Sequence, residues 1–543
     1  MDQLEPIPPW RSIGAMLSDN AGRHGDRVAV VDGDRQVTYS ELLRLSRSLA
    51  KALIASGVKR GDLVACWAPN SLRWVVLTHA VWLAGATIVP ISSRLKILEA
   101  GPLLERSGAP ILFTVGECAG TRFVDSLRTS YGPAEGDILL ARLPSLRHLV
   151  RLDLDRATRE AGTGFDDFLA FGAGIDDATL DAAIAAIAPD DISEVIFTSG
   201  TTGAPKGVQL THGQLMRAYW DWSGIGGLTA TDAYLVITPF SHGFGLNAGI
   251  IASALRGMCM VLLDIFEPAR ALALIREHKI SVMGGPPNLF ARLMDEPGVA
   301  ENPPTSLRVA FVGAASVPVE ILRRIGAGLG VRRVINAYGL MEACVVSMTR
   351  ADDEQEVIAT TTGRVLPGVE VRVVDDDSRD VPAGQTGEIL VRGYGIMPGY
   401  WRDEAQTRAS LTADGWFHTG DIGMRDEGGN IRIVDRKKDM FICGGFNAYP
   451  AEIEDLLLKM GGLATVSVVG VPDQRQGEVG VAFVVPARGT ALEPQTVVAW
   501  AKENLAGYKV PRRVFVRDSL PLNGNGKVMK DVLRREAADS LRA

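Results

Sequence analysis

Hydrophobic positions along this chain fall into two alternating periods. The segment opening at Thr38-Tyr39-Ser40-Glu41 fits a capping box; Leu42, Leu45, Leu49 and Leu53 then recur at helical spacing up to Gly57, which stands where a C-terminal glycine belongs. Beyond it, the apolar runs LVACWA (63–68), VIFTSG (195–200), YLVITPF (234–240), VMGGPP (282–287) and LRVAFVG (307–313) alternate with longer helical patterns. Short continuous apolar runs predict strands buried on both faces, so the alternation predicts α/β architecture with largely parallel sheets. The most apolar stretch, Val75 to Ile91, contains Thr78, His79, Gly85 and Pro90, and it falls short of a membrane span of about 20 residues. It reads as a buried helix turning into a strand. After residue 365 the runs become short and β-like with turn signals (VEVRVVDDD, GEILVRG, GNIRIVDRKKD). From about residue 450 the order reads helix, strand, strand, helix, a compact α+β unit of about 100 residues.

Composition narrows the class. With 543 residues, 46% hydrophobic and 22% charged, the chain is a globular protein of several packing units rather than a disordered or repetitive one. A formal net charge of -7 argues against duplex nucleic acid as a partner, since that binding needs excess Lys and Arg. The charge is unevenly spread. Residues 151–190 hold nine Asp or Glu against three Arg and read as a solvated surface excursion, whereas residues 501–543 hold ten Lys or Arg against five acids. That local +5 favours a polyanionic ligand nearby. The five cysteines (Cys66, Cys118, Cys259, Cys344, Cys443) have neither disulfide nor zinc spacing and read as buried small hydrophobes. That cysteine usage points to the cytoplasm, and the acidic, proline-rich start MDQLEPIPPW does not read as a signal peptide.

The strongest local feature follows the strand-like Val195-Ile196: Phe197-Thr198-Ser199-Gly200-Thr201-Thr202-Gly203-Ala204-Pro205-Lys206-Gly207-Val208. Its glycines leave backbone N–H groups approachable, four hydroxyls offer short donors, and Lys206 adds charge, the makings of a phosphate-gripping loop. The spacing departs from a Walker A loop, because Pro205 precedes Lys206 and Gly207 follows it.

This run resembles the signature loop of the adenylate-forming superfamily of acyl-CoA synthetases, luciferases and peptide-synthetase adenylation domains. The resemblance extends in order over nearly the whole chain, through Thr238-Pro239-Phe240-Ser241-His242-Gly243-Phe244-Gly245, Asn336-Ala337-Tyr338-Gly339-Leu340-Met341-Glu342, Trp416-Phe417-His418-Thr419-Gly420-Asp421, Val434-Asp435-Arg436-Lys437-Lys438-Asp439, Gly444-Gly445-Phe446-Asn447 and Leu520-Pro521-Leu522-Asn523-Gly524-Asn525-Gly526-Lys527. It implies a large N-terminal adenylation domain, 1–437, of several subdomains with parallel-rich sheets and a β-barrel-like part. A small mobile α+β domain, 438–543, follows on a hinge near Lys438.

The implied reaction activates a carboxylic acid with ATP and Mg²⁺ to an acyl-adenylate, then transfers the acyl group to coenzyme A. The resemblance implies roles residue by residue. Thr198, Ser199, Gly200, Thr201, Thr202, Gly203 and Lys206 hold phosphates, while Thr198 and Glu342 hold the metal. Ala315, Asn336, Ala337, Tyr338 and Gly339 bind the nucleotide, with the Tyr338 ring on adenine. Asp421 accepts the ribose hydroxyls, a task that suits two acceptor oxygens, and Arg436 adds a second ribose contact. Lys527 bridges the substrate carboxylate and the nucleotide as a point charge on a flexible stem. His242, Phe244, Gly284, Gly313, Leu340 and Met341 border the acyl pocket, and His242, counted with Lys527 and Glu342 as catalytic, approaches the substrate carboxylate or the entering thiol. Gly444, Gly445 and Phe446 line the entry for coenzyme A once the small domain has swung, and Lys437 and Asp439 beside the hinge read as solvated charges. A small-molecule acid is the expected partner, and the resemblance is compatible with a homodimer.

Within this pattern Met341 departs from the family's usual Thr, replacing a hydroxyl that contacts the α-phosphate by a weak acceptor. The C-terminal wording is closest to bacterial ligases of fatty acids and of the bulky acids of steroid breakdown. Gly245, Gly249, Gly284, Gly285, Ala314 and Ala315 read equally as pocket-widening or packing residues. Two rivals to the thioester reading are an amide-forming ligase and a non-catalytic nucleotide-binding scaffold; joint retention of Lys206, Glu342, Asp421, Arg436 and Lys527 argues against the scaffold.

Overall fold

The structure, a computed structural model, describes residues 6–132, 143–153, 155, 162–198, 205–313, 319–443, 446–473, 475–523 and 527–542. The first long helix, Tyr39–Ala55, begins as its sequence dictates: Thr38 and Glu41 form both halves of the capping box, and Gly57 follows the C-cap at φ +88°. Leu42, Leu49 and Leu53 are buried on its inner face. The apolar stretch is a helix, Leu72–Leu83, in which only Arg73 escapes burial, followed by the fully buried strand Thr87–Ile91.

Two largely parallel sheets form the body. The larger, among the described residues, has nine strands in the order Arg364–Val365, Cys344–Met348, Arg333–Leu340, Val309–Val312, Val282–Gly285, Ala233–Val236, Cys259–Leu262, Val28–Asp32 and Arg35–Thr38. Its centre is parallel and both ends are antiparallel. The run expected as a strand up to residue 240 leaves the sheet at Val236, ahead of Pro239, which has no N–H for a ladder. The second sheet runs Lys206–Thr211, Ile192–Thr198, Thr87–Ile91, Leu63–Trp67, Ile111–Thr114, His148–Arg151 and Thr163–Gly164, antiparallel only at its first pair. One continuous apolar core joins the two sheets, including Val30 and Tyr234 from one and Val64 and Ile88 from the other. Strand ends that carry functional side chains are therefore held in fixed relation.

The part expected to be barrel-like takes the form of a four-stranded antiparallel sheet: Val369–Val374, Gly387–Gly393, Phe417–Arg425 and Ile431–Arg436. Behind it the C-terminal unit builds on the hairpin Leu463–Asp473 and Gly477–Pro486, with helices Pro450–Leu458, Pro494–Asn504 and Lys530–Arg542 and its own core. The expected helix, strand, strand, helix order misses two elements here, a third helix and a third strand. Arg513–Val516 is a further strand, parallel to Gly477–Pro486, too short and too flanked by arginines to stand out as an apolar run.

Charges need two corrections and one addition. The acidic segment is solvated as expected, with Asp177 72% and Asp181 60% exposed, but its helix Asp177–Ala186 also docks on the first long helix through Arg47 to Asp177 at 2.8 Å and Asp181 at 2.7 Å, with Lys51 on Asp177 at 3.1 Å. Much of the C-terminal positive charge is neutralised inside its own unit: Lys530 meets Glu454 at 2.8 Å, Lys509 meets Glu452 at 2.5 Å and Arg534 meets Asp439 at 3.1 Å. Asp439 is thus not a solvated charge, whereas Lys437, 45% exposed, keeps its solvation while it pairs with Glu388 at 3.1 Å. All five cysteines are free; Cys66, Cys344 and Cys443 are buried as expected, while Cys118 and Cys259 are partly open. Among the described residues no helix is long and apolar enough to cross a membrane.

Candidate active site

Register brings the ends of the glycine-rich loop together. In the antiparallel pair of Ile192–Thr198 with Lys206–Thr211, Thr198 stands opposite Lys206, so the loop is a hairpin connection with both its chemical ends at one place. Ser199, Gly200, Thr201, Thr202 and Gly203 lie outside the described residues. The Lys206 ammonium sits over the Tyr400 ring, 5.3 Å from its centroid, and the Tyr400 hydroxyl donates to Glu342 Oε1 at 3.1 Å. Burial and then the Glu342 charge push the Tyr400 hydroxyl's pKa up, which keeps it a proton donor. Tyr400 is held by the backbone: Trp401 N donates to Gly207 O at 2.7 Å.

The strand Arg333–Leu340 delivers the nucleotide motif. Gly339 is required at its end, because a methyl group there would stand 2.4 Å from Cys344 O. The short turn Met341–Ala343 presents Glu342, and Cys344 closes the turn at φ +53°, backbone strain held beside the motif. Asn336, which is 5% exposed, donates from Nδ2 to Thr361 O at 2.7 Å and leaves Oδ1 buried with no partner, an acceptor available to an amino group. Ala337 O lies 2.8 Å from where a side chain on Gly313 would begin, so that glycine allows the two strand ends to close up.

Asp421 and Arg436 face each other across the strands Phe417–Arg425 and Ile431–Arg436. Arg436 Nε meets Asp421 Oδ1 at 2.6 Å, and the Tyr338 hydroxyl donates to Oδ2 at 2.5 Å. The carboxylate is 2% exposed, and burial raises its pKa although Arg436, Tyr338 and Lys527 all oppose that rise. Lys527 enters the same cluster from the closing loop, where its N–H donates to Asn523 Oδ1 at 2.9 Å. Desolvation and the Arg436 charge pull its pKa down, while Asp421 and Glu342 hold it up. His242 lies within the same field: burial, and secondarily Lys527, bring its pKa to about 4. Its Nδ1 accepts from Phe244 N at 3.2 Å, so the neutral ring carries its proton on Nε2. Lys438 also contributes to the potential at Lys527.

On the acyl side, methyl groups built on Gly243 and Gly284 would meet Met341 Sδ at 2.8 Å and Phe244 Cε1 at 2.5 Å. Gly284 thus gives room to Phe244. By the same measure Gly245 meets Pro239 O at 2.1 Å and Gly249 a Val236 methyl at 3.0 Å, so these two serve packing. Leu340 is packed against the main core. Ala315, Gly444 and Gly445 lie outside the described residues, and Phe446, 60% exposed, stacks on Tyr508 at 5.0 Å on the surface of the small unit. Tyr400 went unnoticed in the sequence because its Pro-Gly-Tyr-Trp run reads as an ordinary turn; only tertiary pairing places it between Lys206 and Glu342. Among the described residues no cluster of three His, Cys, Asp or Glu could hold a metal ion. The donors present, Glu342 and Thr198, suit Mg²⁺, which usually keeps waters and substrate phosphates as most of its ligands.

The profile of the AMP-binding enzyme family matches residues 17–401, and that of the AMP-binding enzyme C-terminal domain matches residues 452–527. A (7a-methyl-1,5-dioxo-octahydro-1H-inden-4-yl)propanoyl:CoA ligase of Mycobacterium tuberculosis is 43% identical over 97% of this chain and 99% of its own length. Its namesake from Rhodococcus jostii is also 43% identical, over 96% and 98%. Among solved structures, ATP-bound MatB from Rhodopseudomonas palustris superposes with a TM-score of 0.83 at 26% identity, covering 97% of this chain and 99% of that one.

Proposed function

This chain belongs to the AMP-binding enzyme family, and from that premise we propose how its residues divide the work of an AMP-forming acyl-CoA ligase. The enzyme converts a carboxylic acid and ATP to acyl-adenylate and pyrophosphate, then transfers the acyl group to coenzyme A with release of AMP. In the first step a carboxylate oxygen bonds to the α-phosphorus as the bond to the β-phosphate oxygen breaks. In the second, the thiol sulfur bonds to the acyl carbon, its proton is lost, and AMP departs.

Negative charge crowds at the α-phosphorus, so fixed positive groups and donors are the main catalytic resource. We assign that role to Lys527 together with the N–H of neutral His242, which orient the carboxylate. Lys206 and the hydroxyls of the glycine-rich loop hold the β- and γ-phosphates. Glu342 and Thr198 would hold Mg²⁺, which would supply neutralisation of phosphate charge. Asn336 Oδ1 accepts from the adenine amino group, the Tyr338 ring packs on the base, and the remaining lone pairs of Asp421 accept the ribose hydroxyls. The observation that carries the reading is the convergence of Asp421, Arg436, Glu342, Lys527 and His242 from five separate stretches of sequence on one cluster.

For the second step, the division falls at Lys438, about which residues 438–543 turn to withdraw Lys527 and bring the 444–446 loop to the site. The acid we propose is a propanoic acid borne on a fused-ring diketone, of the kind named for the two 43% identical ligases. Residence in the cytoplasm and assembly as a homodimer complete the reading, the latter to be read by sedimentation of the pure protein. One incubation with ATP, Mg²⁺ and a panel of acids, with and without coenzyme A, followed by mass spectrometry, tests the activity. Acyl-CoA from a ring-bearing acid is the expected product. Adenylate that persists with coenzyme A but is consumed by amines would sink the thioester assignment.

A further inference from the structure

One buried polar pair takes no part in the chemistry above. Glu194 lies in the strand Ile192–Thr198 that leads into the glycine-rich loop, and Asn247 lies in the π-helical turn Leu246–Ile251 that follows His242. Asn247 Nδ2 donates to Glu194 Oε1 at 2.9 Å. Both residues are enclosed, at 0% and 1% exposure, yet Glu194 Oε2 and Asn247 Oδ1 have no hydrogen-bond partner. Proteins rarely leave two such atoms orphaned side by side, and a core without a ligand to bind is better filled by apolar groups.

Their location is specific. A methyl group on Gly243 would stand 3.5 Å from Asn247 Nδ2 and 2.8 Å from Met341 Sδ, so the amide lies against both acyl-side motifs at once. Tyr219, from the helix His212–Ile225, hydrogen-bonds with the Asn247 side chain, and it and Cys344 lie within the field of Glu194 and extend the polar patch. No lysine or arginine figures among the influences on Glu194; burial, opposed only by Asn247, raises its pKa to about 8. At neutral pH the carboxyl is therefore mostly protonated. It accepts from Asn247 through Oε1 and keeps an O–H to give from Oε2, while Asn247 Oδ1 keeps an acceptor. A wholly apolar acyl chain would leave both unsatisfied. A ring ketone would take the carboxyl proton into a hydrogen bond.

We propose that Glu194 and Asn247 form a polar floor to the acyl pocket and select acids that carry a ketone oxygen on the ring system remote from the reacting carboxylate. The proposal rests on the ligase reading and goes beyond it, because it names the groups that choose the acid. A pocket that matches a buried donor to a substrate oxygen discriminates far more strongly than shape alone, since an analogue lacking the oxygen strands the donor.

The test compares kcat/KM for acyl-CoA formation with 3-(7a-methyl-1,5-dioxo-octahydroinden-4-yl)propanoic acid and with its two mono-deoxo analogues, using the full-length protein. Wild type is expected to prefer the diketone over one analogue by about a hundredfold. Glu194→Leu should bring that ratio to within about threefold of unity, mainly through loss on the diketone, and Glu194→Gln, which retains a donor of similar shape, should keep most of the preference. Asn247→Leu should lower the same ratio. A wild-type ratio near one for both analogues overturns the proposal without any variant. So does a Glu194→Leu protein that loses activity equally on all three acids. Thioester formation on every acid with flat ratios leaves the ligase reading standing and removes only this inference, whereas no turnover of any acid removes both.

Discussion

The Tyr338 hydroxyl donates to the buried Asp421 carboxylate at 2.5 Å, tying the end of a strand in the nine-stranded sheet to the middle of the four-stranded one. Arg436 holds the other carboxylate oxygen at 2.6 Å. The ribose acceptor is thus pre-positioned by two protein donors from different sheets, and each oxygen retains lone-pair capacity for a ligand.

Tyr338→Phe keeps the ring but removes one of those donors. A hydrogen bond to a charged group is worth about 1.5–3 kcal/mol, so ATP affinity should fall about ten- to a hundredfold with little change in melting temperature. Calorimetric titration with ATP decides it, and an unchanged Kd would show that Arg436 alone orients Asp421.

Lys527→Ala should abolish adenylate formation while sparing thiolysis of supplied acyl-adenylate, because the ammonium is needed only while the carboxylate approaches the α-phosphate. Pyrophosphate release and thioester formation, measured separately, read the two halves. Equal loss of both in a folded variant would contradict the division of labour.

A clasp spans the proposed hinge. Asp435 Oδ2, on the strand before Lys438, accepts from Ala451 N at 2.7 Å in the first turn of the helix Pro450–Leu458. Loss of such a helix-start acceptor costs about 0.5–2 kcal/mol. Asp435→Ala is expected to speed proteolysis near residue 438 and to lower adenylation more than thiolysis. Cleavage at the wild-type rate would show that the clasp does not restrain the domain.

Met341 and Gly243 are fitted to each other, with only 2.8 Å between Met341 Sδ and a methyl group built on Gly243. Gly243→Ala should therefore depress kcat/KM about tenfold or more, a loss of about 1–3 kcal/mol typical of overpacking, and Met341→Thr in the same chain should restore part of it. Additive losses in the double variant would mean the two side chains do not compete. Met341→Thr alone should alter the ranking of acids, whereas an unchanged pyrophosphate-release profile across acids would assign Met341 no role in selection.

Glu194 predicts a pH dependence of stability. Its folded pKa, about 8, lies above the usual carboxyl value of 4.5, so the folded state holds a proton that the unfolded state has lost. Stability from this group is full below about pH 4.5 and is lost as pH rises towards and through 8, at up to about 1.4 kcal/mol per pH unit. Thermal melts between pH 6.5 and 8.5 should fall less steeply for Glu194→Gln than for wild type. Parallel curves would place the carboxyl's titration elsewhere.

Local physics made much of this protein legible from its residues in order. The capping box at Thr38, the buried helix and strand between residues 72 and 91, and the glycine-rich run after Ile196 depend on neighbours within a turn or two, and each stands where its pattern put it. The linear motifs also placed Asp421, Arg436, Glu342 and Lys527 in one functional set. What sequence could not settle depends on side chains far apart in the chain. Asp177 reads as a lone surface charge until Arg47 is found 2.8 Å away, and Tyr400 reads as a turn residue until the sheets bring it between Lys206 and Glu342. Glu194 inside an apolar strand looks like an interruption of the hydrophobic pattern. Only burial against Asn247 turns it into a neutral hydrogen-bond donor, because desolvation and pairing are properties of the folded surroundings and leave no trace in spacing along the chain.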